Sequence, residues 1–191
     1  MRLTWLIGLG GVFLAGLAGA QDVTGDLEAG RKVAGMCRTC HGLDGYARIP
    51  IAPHIGGEPA IYLEGQLLAF RNGQREHEMM TVVARGLSDQ QIADVSAWYA
   101  AHSAVVEAPD GAGPEACTAC HGADGLATVE DAPHLAGETN IYIETQLKAF
   151  RSGKRTHEVM SEIAAPLSDA EIRDLANWYA GIKLSIDPPG N

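Results

Sequence analysis

Two segments of the chain carry the same helical pattern of apolar and polar positions. Each begins with a capping box, Ser88 with Gln91 and Ser168 with Glu171, in which the two side chains satisfy backbone N–H groups. Apolar residues then recur at the spacing of one helix face, at Ile92, Val95 and Tyr99 and again at Ile172, Leu175 and Tyr179. The pattern predicts an amphipathic helix at each place.

Other segments also have helical character. A helix is predicted over 59–71, with proline at its first position and glycine near its end, and a counterpart over 140–151. A further helix over 26–34 would lead into Cys37. No segment alternates between apolar and polar residues over a useful length, so a sheet is not expected and the fold class is all-α.

The N-terminus has the pattern of a secretory signal peptide over residues 1–20. Arg2 precedes an apolar stretch, and Ala18-Gly19-Ala20 provides small residues at a cleavage position. An uncleaved membrane anchor is the alternative, but the stretch is short for a span and is interrupted by glycines.

The pentapeptide Cys-x-x-Cys-His occurs twice and uses every cysteine of the chain. Thiols three residues apart share one helix face, so both can form thioethers to one porphyrin, and the next histidine can bind its iron. The motif is the attachment site of c-type haem. We therefore predict two covalently bound haem c groups, with thioether bonds and iron-binding histidines supplied by Cys37, Cys40 and His41 and by Cys117, Cys120 and His121.

The two motifs belong to an internal repeat with a constant offset of 80 residues. Residues 37–100 and 117–180 are identical at 34 of 64 positions. Upstream of the second motif, residues 108–114 contain two prolines and two glycines, which predicts a linker and at most a short stub of helix. The expected organisation is a signal peptide, a first domain over 21–103 and a second over 104–191. Because the second domain lacks an entry helix, we expect the other domain or a partner to cover part of Trp178.

The net charge of the chain indicates which classes of molecule are suitable partners. Removal of residues 1–20 leaves 13 of the 14 basic residues against 24 acidic ones, a net charge of −11. Nucleic acid and anionic lipid are therefore poor partners, and a basic patch on a redox protein is a good one. The alternative is that the acidic surface only maintains solubility.

The sixth ligand of each iron decides what the haems do. Met80 and Met160 each follow the histidine of their motif by 39 residues, which favours them as thioether ligands over core packing. Met79, matched by Val159, is expected to be an apolar contact. With both axial positions filled, the iron has no open site for oxygen or peroxide, so the pattern favours electron transfer over catalysis.

Bis-histidine ligation is the competing arrangement, because two further histidine pairs repeat. His54 and His134 each follow a proline whose carbonyl we expect to accept the N–H of the iron-binding histidine, an interaction that orients metal ligands. His77 and His157 precede the methionines by three residues and could shape the loop in which we expect the methionines to lie, or could meet a haem propionate. No hydrolase, P-loop or dinucleotide-binding motif is present in the sequence.

These motifs resemble those of a known family. Each half resembles a class I cytochrome c domain, and the tandem arrangement, with its shared Gln-Leu-x-Ala-Phe-Arg-x-Gly-x-Arg stretch, resembles dihaem cytochromes of the cytochrome c4 type. The resemblance implies two all-α domains related by a pseudo-two-fold axis, with haem propionates facing each other. It implies the ligand pairs His41/Met80 and His121/Met160. It also makes four arginines plausible neighbours of the propionates, namely Arg71, Arg75, Arg151 and Arg155, although a solvated helix end is an equal alternative for each.

The same resemblance implies a periplasmic electron carrier that accepts electrons from a dehydrogenase or a quinol-oxidising complex and passes them to a terminal oxidase or another cytochrome. The second hypothesis is a dedicated electron-transfer subunit of a periplasmic dehydrogenase, for example a flavoprotein that oxidises sulfide. A haem peroxidase would need one iron without a strong sixth ligand, and a sensor would need an output domain that the sequence lacks.

Overall fold

The computed structural model describes residues 24–107, 111 and 113–190. The predicted signal peptide over 1–20 lies outside these residues. Within them the chain forms eight helices and two short strands in the following order: α1 Leu27–His41, α2 Ala60–Arg71, α3 Glu78–Arg85, α4 Asp89–Ala100, β1 Ser103–Val106, α5 Glu115–His121, α6 Asn140–Arg151, α7 Glu158–Ala164, α8 Asp169–Ala180 and β2 Leu184–Asp187. We call α1–α4 the first half and α5–α8 the second half.

The predicted capping boxes are confirmed at the start of α4 and α8. The hydroxyl of Ser88 accepts the N–H of Gln91, and the side chain of Gln91 accepts the N–H of Ser88. Ser168 and Glu171 make the same reciprocal pair. The two capped helices therefore begin at the same point of each repeat, and their buried faces lie in the two hydrophobic cores.

The predicted entry helix is confirmed as the first part of α1, which runs on through the first cysteine motif and packs along α4. Its start is capped by Asp26, whose carboxylate accepts the N–H of Ala29. At the equivalent place the second half has only α5, a helix of 7 residues against the 15 of α1. The stub expected there is therefore present. Trp178 is half-buried and lies against the linker, since a Cβ built on Gly113 would come within 3.0 Å of its indole.

Three details differ from the sequence prediction. Pro59 caps α2 and does not form its first turn, which begins at Ala60. The methionines lie in short helices, α3 and α7, where the sequence predicted a loop. The strands β1 and β2 pair antiparallel, from Ser103 opposite Asp187 to Val106 opposite Leu184. Each strand has four residues, which is too short for a period of two to stand out in the sequence.

None of the helices in the described ranges has both the length and the apolar character needed to cross a membrane.

Candidate functional site

The first Cys-x-x-Cys-His motif occupies the last turns of α1. Cys37 and Cys40 are half-buried free thiols, and His41 is the final residue of the helix and is only 8% exposed. Cys37 packs against the apolar core formed by α1, α2 and α4, and burial raises the pKa of its thiol. Two free thiols and a buried imidazole therefore lie at one helix end.

The second motif repeats this arrangement on the shorter α5. Cys117 and Cys120 are again half-buried free thiols, and His121 ends the helix with 6% exposure. Burial raises the pKa of Cys117. Since the linker precedes this helix directly, the position of the second motif depends less on a preceding helical segment than that of the first.

The expected hydrogen bond to the proline carbonyl is confirmed in both halves. Nδ1 of His41 donates to the carbonyl of Pro53 at 2.9 Å, and Nδ1 of His121 donates to that of Pro133 at 2.8 Å. Burial lowers the pKa of both imidazoles, although the carbonyl opposes it. A neutral ring that donates from Nδ1 keeps the lone pair of Nε2 for a metal.

The two methionine candidates lie in the first turn of the short helices α3 and α7. In the first, Met80 is half-buried whereas its neighbour Met79 is 63% exposed. The ring of His77 caps this helix, with Nδ1 accepting the N–H groups of Met79 and Met80 at 3.3 and 3.4 Å. In the second, His157 likewise accepts the N–H of Met160 at 3.3 Å. These histidines therefore shape the segment that carries the methionines.

His54 and His134 point into the contact between the halves. Nδ1 of His54 accepts the N–H of Ala47, and its Nε2 donates to the carbonyl of Gly137 in the second half at 3.1 Å. His134 makes the mirrored pair, with Nε2 donating to the carbonyl of Gly57 at 2.9 Å. Because backbone groups engage both ring nitrogens of each residue, this arrangement disfavours them as iron ligands.

The four arginines divide into two pairs with different roles. Arg71 donates to the carbonyl of Leu87 and to the carboxylate of Asp89, and so fixes the start of α4 against α2. Arg151 makes the matching contacts in the second half. The contacts of these two arginines therefore favour a role at a helix end over one beside a haem propionate.

The other two arginines lie between the halves. Arg75 donates to Gln66 at 2.7 Å in its own half, and to Tyr142 and Gln146 in the other half at 2.9 Å each. Arg155 mirrors it with bonds to Gln146, Gln66 and Tyr62. Each guanidinium also stacks over a phenylalanine of its own half, 4.5 Å from the ring centroid. The two halves are therefore joined by a reciprocal polar network.

The side chains present fit two covalently attached haems. Each motif offers two free thiols for thioether bonds and an imidazole whose Nδ1 already donates to a backbone carbonyl, which leaves Nε2 for the iron. A candidate thioether ligand follows in each repeat, on a helix that a histidine caps. This donor set suits haem better than a lone metal ion, which is bound by three or four clustered side chains.

Comparisons with known proteins agree with this geometry. The family model described as cytochrome c matches residues 112–182. Over 188 residues the chain is 32% identical to cytochrome c4 of Pseudomonas aeruginosa, which covers 87% of this chain and 94% of that protein. The chain belongs to the cytochrome c4 family.

Two other similarities extend this result. The crystal structure of reduced cytochrome c4 from Pseudomonas stutzeri superposes on this cytochrome with a TM-score of 0.72 at 28% identity, covering 84% of this chain and all of that one. The thiosulfate dehydrogenase electron acceptor of Stutzerimonas stutzeri is 33% identical over 180 residues, which covers 81% of this chain and 83% of that protein.

Family membership confirms the principal sequence predictions. This cytochrome has the all-α fold of two tandem class I cytochrome c domains and carries two haem c groups. It transfers electrons and is not itself an enzyme, and its partners are redox proteins. The domain boundaries and the individual site residues stay predictions.

Sequence reasoning missed two buried carboxyl groups of this cytochrome. Glu58 and Glu138 are 5% and 4% exposed, and each accepts a backbone N–H from the opposite half. Burial raises the pKa of Glu138 to about 7 and that of Glu58 well above its ordinary value, to which the charge of Glu138 adds. The repeat contained the signal, since the two glutamates match at the offset of 80 residues.

Proposed function

We propose that this cytochrome works in the periplasm as a carrier of single electrons, with His41/Met80 and His121/Met160 as the axial ligands of its two irons. The matched histidine and methionine of each repeat are the observation that carries the proposal. A bound haem c supplies an iron that changes by one electron between its ferric and ferrous states. The residues of the chain supply the attachment, the ligands and the environment.

Each part of the proposed ligand set has a supporting contact. The Pro53 carbonyl holds the His41 ring in one orientation through Nδ1, which leaves the lone pair of Nε2 for the iron. The His77 cap sets the start of the helix on which Met80 is half-buried. Equivalent contacts at Pro133 and His157 support the second set. With the four cysteines as thioether donors, no additional side chain is needed to hold either haem.

The periplasm is the compartment proposed for this reaction. The secretory pattern of residues 1–20 supports export, and c-type haem is attached outside the cytoplasm. We further propose that the exported protein consists of the domains 21–103 and 104–191. Since the exported chain has a net charge of −11, a basic surface on the donor or acceptor would steer docking.

Donor and acceptor are proposed by class. The carrier would take electrons from a dehydrogenase or a quinol-oxidising complex and deliver them to a terminal oxidase or another cytochrome. Similarity to a thiosulfate dehydrogenase electron acceptor favours a second candidate, a cytochrome dedicated to one periplasmic dehydrogenase. A dedicated subunit would purify with its enzyme, whereas a free carrier would exchange electrons with several partners at rates that fall as salt is added.

The deciding experiment measures the far-red absorption of the oxidised holoprotein, where the methionine-to-ferric charge-transfer band appears. Scaled to total haem, its intensity should correspond to two methionine–iron bonds. Half of that intensity, or none, would refute the proposed ligand set and require a direct peroxidase assay. Mass analysis under denaturing conditions supplies the control for attachment, since two covalent haems should remain on the wild type and Cys120→Ser should weaken attachment in the second half.

A further inference from the structure

One peptide group connects the proposed axial histidine of the first half to a carboxyl group of the second. The carbonyl of the peptide between Pro53 and His54 accepts the Nδ1–H of His41 at 2.9 Å. The N–H of this same peptide donates to Oε2 of Glu138 at 2.8 Å. The imidazole and the carboxyl group are therefore at the two ends of a continuous hydrogen-bonded chain.

The second half contains the mirror image of this chain. The peptide between Pro133 and His134 accepts the Nδ1–H of His121 at 2.8 Å and donates to Oε2 of Glu58 at 2.9 Å. In both chains the glutamate belongs to one half and the histidine to the other. The two connections therefore cross the interface in opposite directions.

The two carboxyl groups differ in one backbone donor. Oε1 of Glu138 accepts the N–H of the next residue, Thr139, at 2.6 Å. At the equivalent position Glu58 is followed by Pro59, which has no N–H to donate. Glu138 thus has two backbone donors that stabilise its carboxylate form, and Glu58 lacks the second.

We propose that Glu58 and Glu138 are positioning residues that tune the axial histidine of the opposite half, with Glu138 acting as the charged member on His41. The inference rests on the proposed ligand set, since it needs His41 and His121 on the irons. A carboxylate that accepts a peptide N–H polarises that peptide and makes its carbonyl a stronger acceptor. The histidine N–H bond is then more polarised, the imidazole is a stronger electron donor, and the ferric state is favoured.

The direct test is Glu138→Gln, which keeps an acceptor oxygen and removes the charge. The measurement is made above pH 7, where the Glu138 carboxyl group is ionised. The reduction potential of the haem on His41 should rise by an amount that corresponds to a several-fold change in its redox equilibrium constant. The haem on His121 should change less. NMR of the two haems gives the separate potentials, and the resonance of the His41 Nδ1 proton should move toward that of a weaker hydrogen bond.

The control removes the same charge from a surface position outside the chain of hydrogen bonds. Glu130 is exposed and lines the same surface cleft as Glu58, so Glu130→Gln reports the general effect of losing one negative charge. Equal shifts at both haems, a larger shift at the haem on His121, or a response no larger than that of Glu130→Gln would overturn the inference.

A second variant adds a hydrogen-bond donor to Glu58 and leaves both buried carboxyl groups in place. Pro59→Thr gives Glu58 the backbone donor that Glu138 already has, at a helix start where Pro59 and Thr139 have similar φ of −56° and −64°. The carboxylate form of Glu58 should then be favoured, and the potential of the haem on His121 should fall while that on His41 stays. No fall at His121 would contradict the proposal. Both variants should retain the two methionine bands of the wild type. Absence of those bands from the wild type itself would refute the proposed ligand set, on which this inference rests.

Discussion

Arg75 of the first half donates a hydrogen bond of 2.9 Å to the hydroxyl of Tyr142 in the second, whereas the mirrored bond from Arg155 to Tyr62 measures 3.5 Å. The pseudo-symmetric interface is therefore not equally tight on its two sides. A charge-assisted bond at 2.9 Å is close to optimal, and one at 3.5 Å is at the limit of a useful interaction.

Removing the two hydroxyls should therefore have unequal effects. Tyr142→Phe should lower the free energy of unfolding by about 1–2 kcal/mol, because it leaves a buried guanidinium with one acceptor fewer. Tyr62→Phe should lower it by roughly half of that or less. Urea unfolding of the oxidised holoprotein, followed by circular dichroism, measures both; equal losses would show that the difference in length has no energetic meaning.

Neighbouring methionines provide a paired test of iron ligation in the first half. Met80→Ala should remove one of the two methionine charge-transfer bands and change the spectrum of the first haem alone. Met79→Ala should leave both bands, because that side chain is 63% exposed. Loss of the band in Met79→Ala and its retention in Met80→Ala would reverse the assignment.

The start of α8 offers a test of local stability. Ser168→Ala removes the hydroxyl that accepts the N–H of Glu171, and should destabilise the protein by about 1 kcal/mol. Ser185→Ala, at an exposed position of β2, is the control and should change stability by less than about 0.5 kcal/mol. An equal effect of both variants would mean that the cap does not stabilise the helix.

Stability should fall as the pH rises through the range in which the buried glutamates ionise. The pKa of Glu138 is raised by burial from 4.5 to about 7, so its contribution is fully present below pH 4.5 and is lost as the pH approaches and passes 7. Burial also raises the pKa of Glu58 well above its ordinary value, so ionisation of this carboxyl group adds to the loss. The free energy of unfolding should decrease by roughly 1–3 kcal/mol over this range.

Glu138→Gln separates this contribution from other titrating groups. The variant should have a flatter pH profile than the wild type between pH 4.5 and 7, because the amide does not ionise. Chemical unfolding at a series of pH values provides the comparison. Parallel profiles of variant and wild type would show that Glu138 is not the group responsible.

The features that sequence could predict are those that depend on neighbours along the chain. Capping boxes, helix periodicity and the cysteine motifs all involve residues within a few positions of one another. The hydrogen bond from His41 to Pro53 joins residues that are 12 positions apart in the sequence. The β1–β2 pair joins residues about 80 apart, and neither strand has a pattern of its own. Glu58 and Glu138 are matched in the repeat, but only the docked halves reveal that each carboxyl group meets a peptide of the other.

The strand β2 is the last element in the described part of the chain, and it lies against both halves. Leu184 lies against Gly137 in the turn before α6, where a Cβ built on the glycine would come within 2.5 Å of the Cβ of Leu184. Ile186 lies against Gly56 in the turn before α2, where a built Cβ would come within 2.7 Å of its side chain. Neither turn can be covered until residues beyond 183 have been synthesised. Chains of this length commonly mature from the N-terminus onward, one unit at a time. Here one strand contacts the turns of both halves, so a chain that stops at residue 183 leaves both of them uncovered.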